Sequence, residues 1–374
     1  MSENLYQSRV ERYLKTVVFD NDRPSTAYAG PATPVAYAKM TMTEYMFNPK
    51  TGFKAYLDYI KALNNEATID CINTPYAGYM NVMLSMMWLS QIKVPGRDLP
   101  DDSLWQVQEK AILEPEDYDV IIEQGYNEFL KNYLPKVIKA EEIQEYTVYA
   151  QNEGPQQAQM LIESGFPIVN SMAFSPPFEV LCGGRSMTKF FMDCYKKFDK
   201  IKETEDAMFP TLIEQAVGVM KQSHAIGGWV GGWRGASGMV SPKIWDNLVW
   251  PYMKKGAESY IENGFIPIMH LDQNWDRDIE RFLELPKQKF VLNTDGMTDL
   301  KRARKLLGDH AAFMGDVPAP LLATGKAEDV ENYVKKLIDD VGAKGLLVCS
   351  GCDAPANAKF ENMVAMYKTA VEYK

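Results

Sequence analysis

The sequence predicts an α/β protein, a single (β/α)8 TIM-type barrel with a helical, irregular N-terminal extension, and three observations carry this. From about residue 145 onward, short apolar or β-branched runs alternate with helical patterns, the rhythm of parallel strands joined by crossover helices. About seven such runs are visible, and "ATIDCIN" nearer the N-terminus supplies a further one, which suits an eightfold barrel better than an open sheet. Neither a Gly-x-Gly-x-x-Gly turn nor a Gly-Lys-Ser/Thr loop follows the first strands, which removes the usual dinucleotide and phosphate signatures of doubly wound folds.

Taken in order, residues 1–140 are rich in Tyr, Met and Asn, with the Pro-containing loops "DNDRPSTAYAGPATP" and "VPGRDLPDD" and amphipathic stretches such as "GFKAYLDYIKALNN". This part is expected to be mostly helical and to shape a substrate site. The strands of residues 145–374 are expected at "EYTVYA", "GFPIVNSMAF", "AIGGWVGGW", "GFIPIMHLD", "KFVLNTDG", "AAFMGDV" and "GLLVCSGC". Between them, "NWDRDIERFLELPK", "MTDLKRARKLLG" and "KAEDVENYVKKLIDDVG" space apolar residues by three and four and close on Pro or Gly, as helices do. One unit spanning 1–374 is the simplest organisation.

Composition narrows the function. The chain of 374 residues is 46% hydrophobic and 24% charged, enough apolar mass for a sizeable core. A net charge of −10 with dispersed Lys and Arg offers no basic stripe to a phosphate backbone, so no nucleic acid partner is expected. The N-terminus "MSENLYQSRV" is polar, and no apolar run approaches the ~18 residues of a membrane span, so a cytoplasmic protein without a membrane partner is expected. Five cysteines (Cys71, Cys182, Cys194, Cys349 and Cys352) do not make a disulfide framework in so long a chain and read as packing residues or ligands.

Polar residues cluster where the predicted strands end: His270 and Asp272 in "IMHLDQNWD", Asp295 in "LNTDG", Asp316 in "MGDVPAP", and Cys349, Cys352 and Asp353 in "LLVCSGCDAP". In a barrel the C-terminal ends of all strands converge on one mouth, so His270, Asp272 and a cysteine are placed to meet around one ion. Simpler roles stand beside this one. A histidine at a strand end is often only hydrogen-bonded structure, although His270 is one of just three histidines and sits two residues from a carboxylate. Asp272, Asp295 and Asp316 stand where Asp commonly caps a helix or turn. Cys349 still lies inside the apolar run and suits packing, whereas Cys352 follows a Gly and is the better ligand. A thioredoxin-like dithiol sits at a helix N-terminus in a small fold of another order, and Cys349-x-x-Cys352 follows the last strand. Trp229, Trp233, Trp245 and Trp275 near the strand ends permit an aromatic substrate pocket, with Trp233 the candidate in it, or belong to the core.

Three stretches carry a resemblance. "GCDAPANAKFENMVAM" resembles the C-terminal signature of the uroporphyrinogen decarboxylase superfamily, with its Gly-Cys or Gly-His turn, nearby Pro and Glu-Asn before an apolar helix. "FMGDVPAPLLATGKAEDVENYVKKLIDDVG" is similar to the preceding segment of those families, and "GMVSPKIWDNLVWPYMKK" to their Ser-Pro-x-x-aromatic helix start. The likeness covers roughly residues 145–374 and implies a single (β/α)8 barrel.

The superfamily holds two chemistries. Uroporphyrinogen decarboxylase carries an Arg-Gln-Ala-Gly-Arg-Tyr type loop near its N-terminus, where this chain has "VVFDNDRPSTAYAG" and only ten Arg in all. The other branch comprises zinc-dependent corrinoid methyltransferases, whose motif is His-x-Cys followed much later by a Cys in a Gly-Cys turn. Here His270 matches the first position and Cys352 the last, while Asp272 stands at the middle cysteine. The resemblance thus implies zinc held by His270, Asp272 and Cys352, and cobalamin carried by a partner corrinoid protein. A carboxylate in place of a thiolate leaves a harder, more Lewis-acidic metal, better suited to an ether oxygen than to a thiol. O-demethylation of a small methylated or methoxylated substrate is therefore expected, with Asp295, Asp316 and Trp233 as candidate substrate contacts. Transfer from the methylcorrinoid to a thiol or folate acceptor, and a metal-free decarboxylase, are the alternatives.

Overall fold

Eight parallel strands run in sequence order around a buried axis in the computed structural model, which describes residues 2–171 and 173–373. They are β1 (Ser25–Ala29), β2 (Cys71–Thr74), β3 (Ala173–Phe174), β4 (Gly227–Gly232), β5 (Ile266–Leu271), β6 (Val291–Thr294), β7 (Ala312–Val317) and β8 (Leu346–Ser350). All sequence neighbours but β2 and β3 pair in parallel register, and β1 returns to β8 through Ser25 opposite Leu347 and Thr26 opposite Val348. The remaining seam lies between β2 and β3. There the segment 167–169 leads into β3, accepting from the Ile72 amide at Pro167 O over 2.8 Å and donating from the Val169 amide to Ile72 O over 2.9 Å. The sheet therefore closes on itself, the arrangement of a (β/α)8 barrel.

Alternation along the strands builds two cores. Ala27 and Ala29, Ala312 and Met314, and Leu347 and Cys349 belong, two by two, to an inner cluster with Cys71, Val169, Ile268 and Val291. Phe313, Leu292, Leu346 and Val348, one residue out of phase, join the larger cluster beneath the helices. Tyr13 and Val17 of the first helix (Ser2–Val17) also belong to the inner cluster, and Thr16 Oγ1 lies 2.6 Å from Ser25 Oγ at the start of β1, so this helix closes the N-terminal end of the barrel. The opposite end stays open for chemistry.

One expected strand is a helix, and one expected loop is a strand. "EYTVYA" lies inside the helix Ala140–Glu163, because the Glu- and Gln-rich sequence on both sides propagates helix through a short β-prone run whose Val148 remains 55% exposed. The stretch read as a loop around "STAYA" is instead β1, buried along its whole length. Its small residues give no hydrophobic signal, yet they suit the crowded barrel axis. The N-terminal region is rich in helix as its composition predicted, and it also supplies β1 and β2.

The helices after β6 and β7 form as their spacing predicts, over Leu300–Leu307 and Ala327–Val341. Asp299 caps the first, its carboxylate accepting from the Arg302 amide at 2.9 Å, and Gly342 ends the second at φ 81°. "NWDRDIERFLELPK" yields only a short 3-10 turn, Ile279–Glu284, cut off two residues before Pro286. The longest connection, between β2 and β3, carries the helix Met80–Trp88 over the barrel mouth. No helix of the described residues is long and apolar enough to cross a membrane.

Candidate metal centre

His270 is the penultimate residue of β5, and its neighbour in register on β6 is Asn293. The imidazole Nδ1 lies 2.7 Å from Asn293 Oδ1, while Asn293 Nδ2 donates to Met314 O at 3.2 Å and Gly351 O at 3.4 Å. Because the amide nitrogen is committed to two carbonyls, the oxygen faces the imidazole, and Nδ1 must be the donor. That assignment turns Nε2 to the mouth, the nitrogen a metal-binding histidine presents once its proton is displaced. Trp229 on β4 lies flat against the imidazole, with centroids 4.0 Å apart and planes 1° from parallel. The indole is itself held, its N–H donating to Asn73 Oδ1 at 3.1 Å and its backbone N–H to Asn170 Oδ1 at 3.0 Å.

Asp272 follows β5 directly, and Cys352 sits on the turn after β8. Gly351 makes that turn feasible, since a Cβ there would come within 2.7 Å of Asp295 Cα. Nε2 of His270 lies 3.4 Å from Asp272 Oδ2 and 3.7 Å from Cys352 Sγ, and Sγ lies 4.0 Å from Oδ2. Tetrahedral zinc with bonds of about 2.0–2.3 Å sets its ligand atoms roughly 3.3–3.8 Å apart, so the three donors stand close to the edges such an ion requires. Among the described residues, these three form the one His/Cys/Asp/Glu group with ligand atoms gathered in this way. Asp272 Oδ1 is buried without a hydrogen-bond partner, an acceptor left for a cation. Donor types, spacing and the fixed imidazole all fit zinc.

Electrostatics agree. Burial opposes a charge on His270, but the adjacent Asp272 carboxylate prevails and holds its pKa well above the ordinary value. Burial likewise resists ionisation of Asp272, and His270 outweighs it, keeping the carboxyl below its ordinary range. Burial pushes the Cys352 thiol up, with His270 pulling it back. The pair therefore favours a proton on the imidazole beside an ionised carboxylate.

Above these residues opens a cavity of about 260 Å³. Met80, Met83 and Met87, at spacings of three and four on the helix Met80–Trp88, form one wall, and Trp88, Trp229 and Trp233 form others. Asp353 reaches the same space, its carboxylate accepting from the Thr74 hydroxyl at 2.9 Å; burial raises its pKa to about 6.

The residues singled out in the sequence fare differently. His270, Asp272, Cys352 and Trp233 all line the cavity. Asp272 caps no helix, since the chain after it forms turns and its carboxylate meets only His270 and Cys352. Asp295 spends its carboxylate on the backbone amides of Gln273 and Met297, both at 2.9 Å, and borders a shallower hollow beside the cavity. Asp316 is absent from the cavity lining; it is buried at 6% exposure and accepts from the Tyr333 hydroxyl at 2.8 Å. Cys349 packs in the inner core, and Trp245 and Trp275 are fully buried core residues. Sequence reasoning passed over Asn293, whose role depends on a neighbouring strand, and the methionine face, which the spacing in "MNVMLSMMW" would have revealed.

Comparison with known proteins adds family and fold. Residues 173–373 match the family described as Uroporphyrinogen decarboxylase (URO-D). No curated protein matches the sequence. Among solved structures, a methyltransferase from Methanosarcina mazei superposes with a TM-score of 0.71 at 16% identity, covering 97% of this chain and 98% of that one. At that identity the likeness is one of fold.

Proposed function

The chain belongs to the uroporphyrinogen decarboxylase (URO-D) family, and from that premise we propose that it is a zinc-dependent methyltransferase moving a methyl group between a small methoxylated substrate and the cobalt of a separate corrinoid protein. The observation that carries this reading is the convergence of His270, Asp272 and Cys352 on one point at the edge of an apolar cavity. The name of the M. mazei structural neighbour supports the methyl-transfer class.

Bound zinc would supply Lewis acidity, polarising the heteroatom that bears the methyl group and stabilising the charge that builds on it as the methyl leaves. The chain's own residues prepare that event. Asn293 holds the His270 imidazole with Nε2 turned to the donor set, and Trp229 keeps the ring from rotating. Asp272 keeps the ligand charge of a thiolate while presenting a harder oxygen, which favours an oxygen substrate. The methionine and tryptophan walls exclude water from the reacting group.

A decarboxylase acting on a tetrapyrrole with many carboxylates would need basic residues in its site. Among the described residues lining the cavity there is no Lys or Arg. The methyltransferase reading is tested by measuring metal in protein purified without added metal, then methyl transfer from a methoxyarene to a reduced corrinoid. About one zinc per chain is expected, with His270→Ala and Cys352→Ala losing metal and turnover together. Full zinc and full turnover in both variants, or demethylation by the isolated chain with no corrinoid present, would defeat the proposal.

A further inference from the structure

We propose that the cavity selects uncharged aromatic donors and rejects those carrying a carboxylate or sulfonate; the inference rests on the methyl-transfer reading and specifies the substrate class of that site. The first argument is shape and surface. A cavity of about 260 Å³ has room for one substituted benzene ring, given that a ~150 Å³ apolar cavity takes up benzene. Met80, Met83 and Met87 supply polarisable thioethers that adapt to a flat ring, and the tryptophans supply faces to stack on.

The second argument is charge. Among the described lining residues, His270 alone is able to carry a positive charge, and it is engaged by Asp272 and Asn293. With zinc in place, a neutral imidazole, one carboxylate and one thiolate balance the ion, so no net positive charge remains for a ligand anion. Asp353 adds a second carboxyl to the same lining. Arg234 stands behind the wall, 4.3 Å from the Trp233 ring and 5.6 Å from the Trp88 ring, but it is fully buried and its charge faces Glu179, Nη1 to Oε2 being 3.5 Å. A ligand carboxylate entering this space would lose its hydration and gain no partner, which is a steep cost.

An isosteric pair isolates the charge. Binding of 4-methoxybenzamide and 4-methoxybenzoate is measured by tryptophan fluorescence and calorimetry on zinc-loaded and metal-free protein. The amide is expected to bind at least about tenfold more tightly in both forms. Met83→Lys, which places a cation in the wall, is expected to narrow or reverse that ratio; should this variant fail to fold, the ratio in the unaltered protein still decides. Equal or tighter binding of the benzoate, or no saturable binding of the amide, overturns the inference. Preference for the amide without methyl transfer leaves the inference standing and removes the reading beneath it. Transfer from the benzoate as efficient as from the amide does the reverse.

Discussion

His270 and Asn293 face each other from paired positions on adjacent strands, Nδ1 and Oδ1 2.7 Å apart, and the carboxamide is pinned from behind by Met314 O and Gly351 O. The second of those carbonyls belongs to the turn that delivers Cys352. One side chain therefore fixes which nitrogen His270 turns to the mouth and braces the loop that carries Cys352, which ties the candidate donor set together.

Asn293→Ala should lower zinc affinity by roughly 10–100-fold, the usual cost of losing the group that orients a ligating histidine. Asn293→Asp, which still accepts from Nδ1 but sets an oxygen against Met314 O and Gly351 O where the amide donated, should recover it only in part. Competition with a chromophoric chelator reads both. An Ala variant that is less stable yet holds zinc as tightly as the wild type would assign Asn293 a purely structural role.

Asp272 allows the sharpest chemical test, because its carboxylate caps nothing and meets only His270 and Cys352. Asp272→Asn should lose metal and turnover together. Asp272→Cys should keep zinc, yet demethylate a methoxyarene more slowly, since a second thiolate softens the ion and weakens its pull on oxygen. An Asn variant with wild-type rate and zinc content would remove Asp272 from the site.

Metal affinity should climb with pH. His270 is held protonated beside Asp272, and burial raises the Cys352 thiol, so both must release protons to bind a cation. Affinity is thus lost as pH falls through the raised His270 value, and the loss begins at higher pH than for a solvent-exposed histidine. In the metal-free protein the sign inverts for stability: protonated His270 contributes fully below the unfolded-state pKa, and that contribution disappears as pH rises through the folded-state value. Zinc titrations from about pH 6 to about pH 9, with the protons released counted in buffers of different ionisation enthalpy, test the first statement. Chemical denaturation of the metal-free protein over the same range tests the second.

Asp316 should act on stability and leave substrate binding alone. Burial raises its pKa from 3.8 to about 6, the Tyr333 hydroxyl pulling it back. The native state holds this proton more tightly than the unfolded chain, so stability falls as pH rises from the lower value through the upper. A difference between 3.8 and about 6 corresponds to roughly 3 kcal/mol. Asp316→Asn should therefore match the wild type in acid and exceed it by up to roughly that amount near neutrality. KM for the methyl donor should not move, because Asp316 does not line the cavity. A large KM change with an unaltered pH profile of unfolding would place Asp316 at the substrate after all.

Alternation of strand and helix in residues 145–374, and the Gly, Pro and Asp signals at element ends, depend on local chemistry, and for that reason the barrel and the helices over Leu300–Leu307 and Ala327–Val341 were legible along the chain. So were His270, Asp272 and Cys352, because a barrel sends every strand end to one mouth and a polar residue there stands out against an apolar run. Closure was not legible. β1 is built from Ser, Thr, Ala and Tyr, and its burial comes from neighbours distant in sequence, as does the single bridge from Ile72 to Ile168 that joins β2 to the segment entering β3. The apolar run that stops at Gly351 already favoured Cys352 over Cys349, and the structure supplies the physical reason: strand parity sends Cys349 into the inner core, and the Gly351 turn brings Cys352 to within 3.7 Å of His270 Nε2. The tertiary structure alone decided Asp295 and Asp316, since accepting from backbone amides and hiding in a core are alternatives set by what surrounds a carboxylate, and neither residue type nor spacing records those surroundings.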